Sequence, residues 1–455
     1  MPQIRIMTWN VRTFSFNRAL VGPPGSKGTL VNIVAQVIQA AMAPAPVDVV
    51  LIVELSAGEA RATMSALSTV LRGAYRADPW SGFLISYETG NECYGMLIRD
   101  LDTVRVVYPA AGPPGDKYSP LSNLEMNSFS IWPSADWAAS AYPLRLEQGP
   151  GIPLIEDYAS SAGGQTRFPG QPVALGGLAQ GLGSRVPAMP ILWIRGAHTS
   201  YMVPIVIMHL AAIQGNGNNA LARGQIEHLR YLHIAQMFDS PAGAGYLAVG
   251  TAPGTVTAVP VQELLFTGDF NVDFLDNQGH GLVNAAYGTV TPMLAGGGSA
   301  APAALPAAPG PVPAVPYAGP FDPGPPVDQI PPQQLRTAIT AQGTILGVPQ
   351  GPPAIPPAPF VTAAFDNFFY GGQQLTTAPP LFGADAGLAV NLPGAIQARQ
   401  LDVSLLAAAY GGSPGYRVSD APNLQGAGPI SDDEARIGAN LISDHLPVIL
   451  QFDCP

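Results

Sequence analysis

The chain has few charged residues and very few lysines. Only 11% of its 455 residues are charged, and 31 acidic residues outnumber 20 basic ones, for a net charge of −11. Lys27 and Lys117 are its only lysines. This balance excludes the broadly basic surface of a general nucleic-acid-binding protein. Any polyanion bound by this chain would therefore need local arginines or bound cations to offset the acidic charge.

Cysteine is scarce, and two sequence patterns are missing. Cys93 and Cys454 allow one disulfide or none, and there is no Cys-x-x-Cys pair to suggest a metal box. No apolar run of about 18 residues is free of proline, glycine and charge, so we expect no membrane span. The first residues lack the basic and apolar regions of a signal peptide. We therefore expect a cytoplasmic protein, with export by a signal-less route as the alternative.

The composition is uneven along the chain. Hydrophobic residues make up 47% of the sequence, which is enough for a large core. Two stretches, at about 109–184 and about 295–359, are rich in proline and glycine, and the second is also rich in alanine. Such composition favours extended chain over helix. Because strand-like patterns resume after each stretch, we expect a single domain over 1–455 with two insertions.

Outside those stretches, strand and helix patterns alternate. Continuous or alternating apolar runs predict strands, and apolar residues at helical spacing predict helices. The predicted strands span 3–11, 47–55, 82–87, 94–100, 103–109, 190–196, 200–210, 262–271, 363–371 and 446–453. The predicted helices span 28–42, 57–74 and 218–238. This mixture indicates a layered structure, with sheet in the interior and helices packed outside.

Five short polar segments lie at or beside these apolar runs. They are Thr8-Trp9-Asn10, Glu54, His209, Gly268-Asp269-Phe270-Asn271 and Ser443-Asp444-His445. Polar residues at the ends of buried strands are typical of enzyme sites built on sheets. Taken together and in this order, the five segments predict one active site.

The residue types of these segments suggest what each could do. Glu54 and Asn10 end neighbouring predicted strands and carry the oxygen atoms that hard divalent cations prefer. Asp269 and Asn271 alternate, so they face the same side of an extended segment. A neutral His445 could accept a proton from water if a carboxylate oriented its ring. Asp366 and Asp402 are the two carboxylates that we consider for this task.

Three longer motifs resemble the endonuclease/exonuclease/phosphatase superfamily, and within it deoxyribonuclease I most closely. They are WNVRTF at 9–14, NECYGMLIRD at 91–100 and SRVP at 184–187. The resemblance covers most of the chain outside the two insertions. It implies an α/β (α+β) fold, a four-layered sandwich in which helices flank two packed, mainly antiparallel sheets. It also implies hydrolysis of a phosphodiester with a divalent cation.

The resemblance implies a role for each site residue. The implied catalytic residues are His209, His445, Asp269, Asn271, Asp366 and Glu92. The implied metal ligands are Glu54, Asn10 and Asp444, and the implied phosphate contacts are Arg12 and Arg185. His209 would be the general acid, oriented by Glu92. Asp366 fits the family pattern better than Asp402 as the partner of His445. The expected cation is Mg²⁺, with Mn²⁺ as a substitute and a structural Ca²⁺ as a further expectation.

We expect the substrate to be a nucleic acid, and DNA in particular, and we infer no protein partner. The alternative is a hydrolase of a small phosphoester, such as a phospholipid head group or an inositol phosphate. The low basic content favours this alternative. So does the absence of the cation that follows the catalytic Glu in deoxyribonuclease I, where Leu55, Ser56 and Ala57 follow Glu54. A non-enzymatic binding module would be expected to have lost part of the motif set.

Overall fold

The structure is a computed structural model of the 455-residue chain. It describes residues 2–14, 29–40, 46–56, 58–74, 80–86, 92–109, 128–132, 154–156, 190–210, 222, 246–252, 255–260, 263–272, 314–316, 338–339, 361–363, 366–372, 375–377, 387–390, 392–402 and 421–455. Every structural statement below concerns these residues.

Strands make up most of the described chain. They are β1 (Gln3–Phe14), β2 (Val49–Ser56), β3 (Ser81–Ser86), β4 (Glu92–Ile98), β5 (Val104–Pro109), β6 (Ser128–Trp132), β7 (Leu154–Glu156), β8 (Ile191–Arg195), β9 (Ser200–His209), β10 (Tyr246–Ala252), β11 (Thr255–Pro260), β12 (Glu263–Asp269), β13 (Ala314–Pro316), β14 (Ala338–Ile339), β15 (Val361–Ala363), β16 (Asp366–Gly372), β17 (Thr376–Thr377), β18 (Gly387–Ala389) and β19 (Val448–Asp453). The described helices are α1 (Thr29–Ala40), α2 (Ala60–Ala74), α3 (Leu392–Gln397), α4 (Pro422–Gln425) and α5 (Asp432–Ile442).

Two mixed sheets form the body of the described structure. The first has the strand order β13–β18–β19–β1–β2–β4–β3–β7, and β17 also pairs with β19. The second has the order β11–β10–β6–β5–β8–β9–β12–β16. Antiparallel neighbours outnumber parallel ones in both sheets, although β1–β2 and β9–β12 are parallel. These two parallel pairs bring strand ends of the same polarity together.

Helices cover one face of the first sheet. The outward face of β1 contributes Met7, Trp9 and Val11 to a buried cluster that also contains residues of α1, α2, α3 and α5. In α1, Leu30, Val34 and other apolar residues recur at helical spacing, and this stripe is buried against the sheet. A helix with one apolar face gains most of its stability from such packing.

The opposite face of the first sheet packs on the second sheet. Side chains alternate along a strand, so Ile4, Ile6 and Thr8 of β1 point away from the helices. All three are fully buried. The hydroxyl groups of Thr8 on β1 and Thr267 on β12 lie 2.8 Å apart and share a hydrogen bond between the sheets. The two sheets therefore bury a common interior.

The structure confirms the expected fold class. It has two packed, mainly antiparallel sheets flanked by helices, and the first two predicted helices lie within a few residues of their expected ends. The helix predicted at 218–238 lies outside the described residues apart from Ala222. Strands β6 and β7 lie within the first predicted insertion, and β13 and β14 lie within the second. The division into one domain with insertions stays a prediction.

Two smaller expectations also have an outcome. Cys93 and Cys454 are both buried and free, so of the two alternatives for these cysteines the structure has the one without a disulfide. No helix in the described part of the chain is long and apolar enough to cross a membrane.

Candidate active site

The predicted site residues of the second sheet lie side by side at one edge. His209 ends β9, Asp269 ends β12, and Asp366 begins β16. The registers place Asp269 directly beside His209 on one side and beside Asp366 on the other. Because β9 and β12 are parallel and β16 is antiparallel to β12, two strand ends and one strand start meet here.

The first sheet contributes its own residues at the same edge. Asn10 lies in β1 opposite Val53 of β2, and Glu92 begins the antiparallel strand β4. The pairing of β2 with β4 shifts register between Ile52 and Leu55, and Glu54 lies in this irregular stretch. Such a bulge bends a strand and redirects a side chain. Here it lets the Glu54 carboxylate reach His209 on the second sheet.

Backbone conformations that ordinary residues rarely adopt are concentrated at the site. Glu54 has a φ of 61° and Asn271 has a φ of 49°. Each such residue costs on the order of 1–3 kcal/mol, and the surrounding structure must hold it in place. Gly268 has a φ of 131°, and a Cβ added there would lie 1.9 Å from the carbonyl oxygen of Met208. Glycine at 268 therefore lets β12 run close to β9 directly before Asp269.

His209 is held between two carboxylates. Its Nδ1 lies 2.9 Å from Oε2 of Glu92, and its Nε2 lies 3.0 Å from Oε1 of Glu54. Burial alone would lower the pKa of His209, but the hydrogen bonds with Glu54 and Glu92 and the charge of Asp269 raise it to about 9. An imidazole held protonated in this way can donate a proton.

His445 forms a second histidine–carboxylate pair. Its Nδ1 lies 2.7 Å from Oδ2 of Asp366, which is fully buried. Burial lowers the pKa of His445, and the negative charges of Asp366 and Asp269 outweigh this and hold it well above its usual value. Asp402, the rival carboxylate in the sequence, is exposed, and its backbone N–H donates to Gln36 instead. The geometry therefore pairs His445 with Asp366.

Asp269 lies between the two histidines. Its Oδ2 is 3.7 Å from Nε2 of His209 and 3.6 Å from Nε2 of His445. The amide groups of Asn10 and Asn271 also donate to this oxygen, at 2.9 and 3.0 Å. The backbone N–H of Asn271 donates to the other oxygen, Oδ1. Neutral amides thus fix the Asp269 carboxylate so that both imidazoles face it.

The donor atoms at this edge fit a divalent cation. The side-chain oxygen atoms Oδ1 of Asn10 and Oδ1 of Asp444 are buried and accept no hydrogen bond in the described structure. Buried polar atoms of this kind call for an explanation, and an unseen ion is one. Two clusters, Glu54–Glu92–His209 and Asp269–Asp366–His445, also bring three ligand atoms each within 4.8 Å of one another. The oxygen-rich donor set suits Mg²⁺ or Mn²⁺.

The two expected phosphate contacts differ in outcome. Arg12 lies in β1 just beyond Asn10, where its guanidinium is 3.8 Å from Oδ2 of Asp444. Arg12 is mostly buried beside this acidic side chain, and its contact with phosphate stays a prediction. Arg185 lies outside the described residues, so its role stays a prediction.

Three buried side chains that the sequence reasoning did not assign to the site also support it. The Ser443 hydroxyl donates to the backbone oxygen of Asn10 at 2.7 Å and accepts from the backbone N–H of His445 at 3.2 Å. The Trp9 indole N–H donates to the backbone oxygen of His445 at 3.0 Å. The third is Thr267, which lies two residues before Asp269. Its hydroxyl shares a hydrogen bond with the hydroxyl of Thr8. Ser443 and Trp9 belong to motifs already noted, and their position within two residues of His445 and Asn10 was the available signal.

Comparisons with known proteins add little to this geometry. No protein-family model matches the chain, and no curated protein matches it. Solved structures that do match include TDP2 of D. rerio complexed with a single-stranded DNA product, at 10% identity and a TM-score of 0.36, covering 99% of each chain. An endonuclease/exonuclease/phosphatase family protein from Bacteroides thetaiotaomicron matches at 9% identity and a TM-score of 0.38, covering 99% of this chain and 98% of that one.

A mannosyl-6-phosphatase from Bacteroides thetaiotaomicron matches at 9% identity and a TM-score of 0.39, covering 99% of each chain. At such scores these three structures carry no argument about substrate. The chain resembles the endonuclease/exonuclease/phosphatase superfamily through its own motifs and through its two-sheet α/β architecture.

Proposed function

We propose that the chain is a divalent-metal-dependent phosphodiesterase, and specifically an endonuclease that hydrolyses the DNA backbone. One observation carries the proposal. Two histidine–carboxylate pairs converge on Oδ2 of Asp269, at 3.7 and 3.6 Å, beside buried oxygen atoms suited to a cation. Phosphodiester hydrolysis needs a group that activates water, a group that protonates the leaving oxygen and a means of neutralising charge at phosphorus. The described edge carries residues for all three tasks.

His209 is assigned the role of general acid, which gives a proton to the leaving oxygen. Its Nδ1 is held by Glu92, so its Nε2 is the nitrogen directed at the centre of the site. Asp366 holds Nδ1 of His445 in the same way, so Nε2 of His445 also faces Asp269. Asp269 and Asn271 are assigned to hold the attacking water and the scissile phosphate, as the family resemblance implies. Both imidazoles then act on atoms bound next to Asp269.

Glu54, Asn10 and Asp444 are the residues assigned to hold the cation. A bound Mg²⁺ would neutralise charge on the phosphate. The orphaned buried oxygen atoms of Asn10 and Asp444 support this assignment. Arg12 is assigned to a phosphate of the DNA backbone, a contact that positions nucleic acid without reading its sequence.

The test is nicking of supercoiled plasmid with Mg²⁺ or Mn²⁺. We expect nicking by the wild-type protein, its loss in EDTA and its loss in His209→Ala. The matched control is His198→Ala, which removes an exposed histidine in the turn between β8 and β9 and should leave nicking unchanged. Nicking by His209→Ala at the wild-type rate would refute the role assigned to His209.

The second candidate is hydrolysis of a small phosphoester at the same site. The net charge of −11 and the missing cation after Glu54 favour it, because a duplex needs many cationic contacts. A folded protein that fails to nick plasmid but releases phosphate from an inositol phosphate or a phospholipid head group would establish this candidate instead.

A further inference from the structure

Two threonines form a polar contact between the two sheets, next to apolar side chains. Thr8 of β1 and Thr267 of β12 are both fully buried, and their hydroxyl oxygens lie 2.8 Å apart. The residues before them on the same strand faces, Ile6 and Leu265, are buried and apolar. From Ile6 to Thr8 on β1 and from Leu265 to Thr267 on β12, the side chains that face the other sheet change from apolar to polar at the same level.

The next residue on each of these two strand faces belongs to the active site. Two residues after Thr8 comes Asn10, and two residues after Thr267 comes Asp269. The Asn10 amide donates to Asp269 at 2.9 Å. Two residues advance a strand by about 6.6 Å, so β1 and β12 are joined at two successive levels. The outer contact is part of the site, and the inner one is not.

The inner contact has a property that apolar packing lacks. Apolar contacts between sheets are non-directional. A buried hydroxyl pair is directional, and separating its members breaks a hydrogen bond in a low-dielectric interior. It therefore resists sliding of β1 against β12. Such sliding would move Asp269 relative to its donor Asn10 and to the two histidines.

We propose that Thr8 and Thr267 are positioning residues, and that their hydrogen bond fixes the two sheets in the alignment that the site needs. The proposal rests on the proposed hydrolytic function for its kinetic consequence. Neither hydroxyl touches substrate. Each acts through the outer contact, which places the Asp269 carboxylate between His209 and His445. Displacements of about 1 Å in such a site can reduce the rate on the order of a hundredfold.

The experiment is a double-mutant cycle of Thr8→Val, Thr267→Val and both together. Each single change leaves one buried hydroxyl facing a methyl group, so each should lower Tm. The double change removes both hydroxyls, so its Tm should lie above the value expected from adding the two single changes. We expect kcat of the double variant to stay at least about tenfold below wild type, with KM little changed. Recovery of kcat together with Tm would show a merely structural role and overturn the proposal.

Two further variants separate the hydroxyl from other effects. Thr8→Ser keeps the hydroxyl and should keep kcat near wild type. If it loses as much as Thr8→Val, packing of the methyl group is responsible and the proposal fails. Thr63→Val removes another fully buried threonine hydroxyl, which donates to the Glu59 backbone oxygen in α2. This control should change Tm without changing kcat.

A readout without substrate separates this proposal from the proposed function. In protein labelled with ¹⁵N only at histidine, the imidazole signals of His209 and His445 report the protonation and hydrogen bonding of each ring, which depend on how it lies against Asp269. We expect both to shift in Thr8→Val and neither to shift in Thr63→Val. Unchanged signals in Thr8→Val would overturn the positioning role whatever the enzyme hydrolyses. A wild-type protein that hydrolyses no phosphoester would refute the proposed function and leave the imidazole signals to decide this one.

Discussion

Strands β1, β2 and β4 have a buried aspartate beside each of their ends, and the two ends are built differently. At one end Asp48 accepts from the guanidinium of Arg99 at 2.7 Å and from the backbone N–H of Arg5 at 2.9 Å. At the other end, β1 carries Asn10, whose amide donates to Asp269 of the facing sheet. The Asp269 carboxylate also contacts the amide of Asn271 and the imidazole of His209. Both aspartates are almost fully buried.

The difference lies in the groups that oppose the buried negative charge. Arginine keeps its charge at any ordinary pH, so two fixed positive charges oppose the buried carboxylate of Asp48. Burial raises the pKa of Asp48, while the Arg99 and Arg5 contacts oppose that rise. Around Asp269 the partners are neutral amides and histidines, which can gain or lose a proton. The arrangement around Asp48 holds strands together. The arrangement around Asp269 leaves a negative potential that attracts protons and cations.

The sharpest test of this comparison is the same substitution at each end. Asp269→Asn should lower kcat by about 10²–10⁴-fold, because the carboxylate between the two imidazoles is lost. The protein should remain folded, since the histidines can release a proton when their partner is gone. Plasmid nicking and thermal unfolding measure the two effects. Retained kcat would show that Asp269 is structural, as Asp48 is.

Asp48→Asn should have the opposite result. Removing its charge takes away the carboxylate that accepts from Arg99 and opposes the buried charge of Arg5, which should lower the free energy of unfolding by on the order of 3 kcal/mol. Urea unfolding measures this loss. Below the unfolding range, kcat should match wild type, because Asp48 lies at the far end of the strands. A fall in kcat in folded protein would contradict the division of labour between the two ends.

Glu54→Gln should weaken metal binding by about tenfold or more, which corresponds to about 1.4 kcal/mol. The change keeps the shape of the side chain and removes the charge that attracts a divalent cation. Calorimetric titration with Mn²⁺ measures the affinity directly. Asp102→Asn removes an exposed acid elsewhere and is the control. Equal Mn²⁺ affinity in Glu54→Gln and wild type would exclude Glu54 as a ligand.

Ser431→Ala should have the smallest effect. Ser431 caps α5 by accepting from the backbone N–H of Glu434, and the Glu434 side chain accepts from the Ser431 backbone N–H. Loss of such a cap costs about 1 kcal/mol, measured by urea unfolding. Although α5 leads directly into Ser443, kcat should not change, because the Ser443 contacts hold the next segment independently. A large fall in kcat would show that α5 transmits its position to His445.

The sequence predicted the ends of the strands better than it predicted how the strands meet. Apolar runs with a polar residue at or near their end marked His209, Glu54 and Asp269 as candidates, and the structure brings these three side chains together. The choice of Asp366 over Asp402 came from a motif, and the structure puts Asp366 against His445. Each of these inferences uses information contained within one short segment.

Features that depend on two distant segments were not predictable. The bulge that redirects Glu54 arises from the register of β2 against its neighbours. The Thr8–Thr267 contact joins residues 259 positions apart. By contrast, α5 was missed although Ser431 and Glu434 form a capping signature, because its charged first turn hides the apolar stripe behind it. That signal was local and available.

The Trp9 side chain gives the site an intrinsic optical probe. Its indole is fully buried, and its N–H donates to the backbone oxygen of His445. Indole emission depends on hydrogen bonding and on nearby charge, so movement at His445 changes the fluorescence of a residue already in place. The difference spectrum between wild type and Trp9→Phe isolates this signal from the other four tryptophans, since the chain has five. Cation binding could then be followed in real time on unlabelled protein.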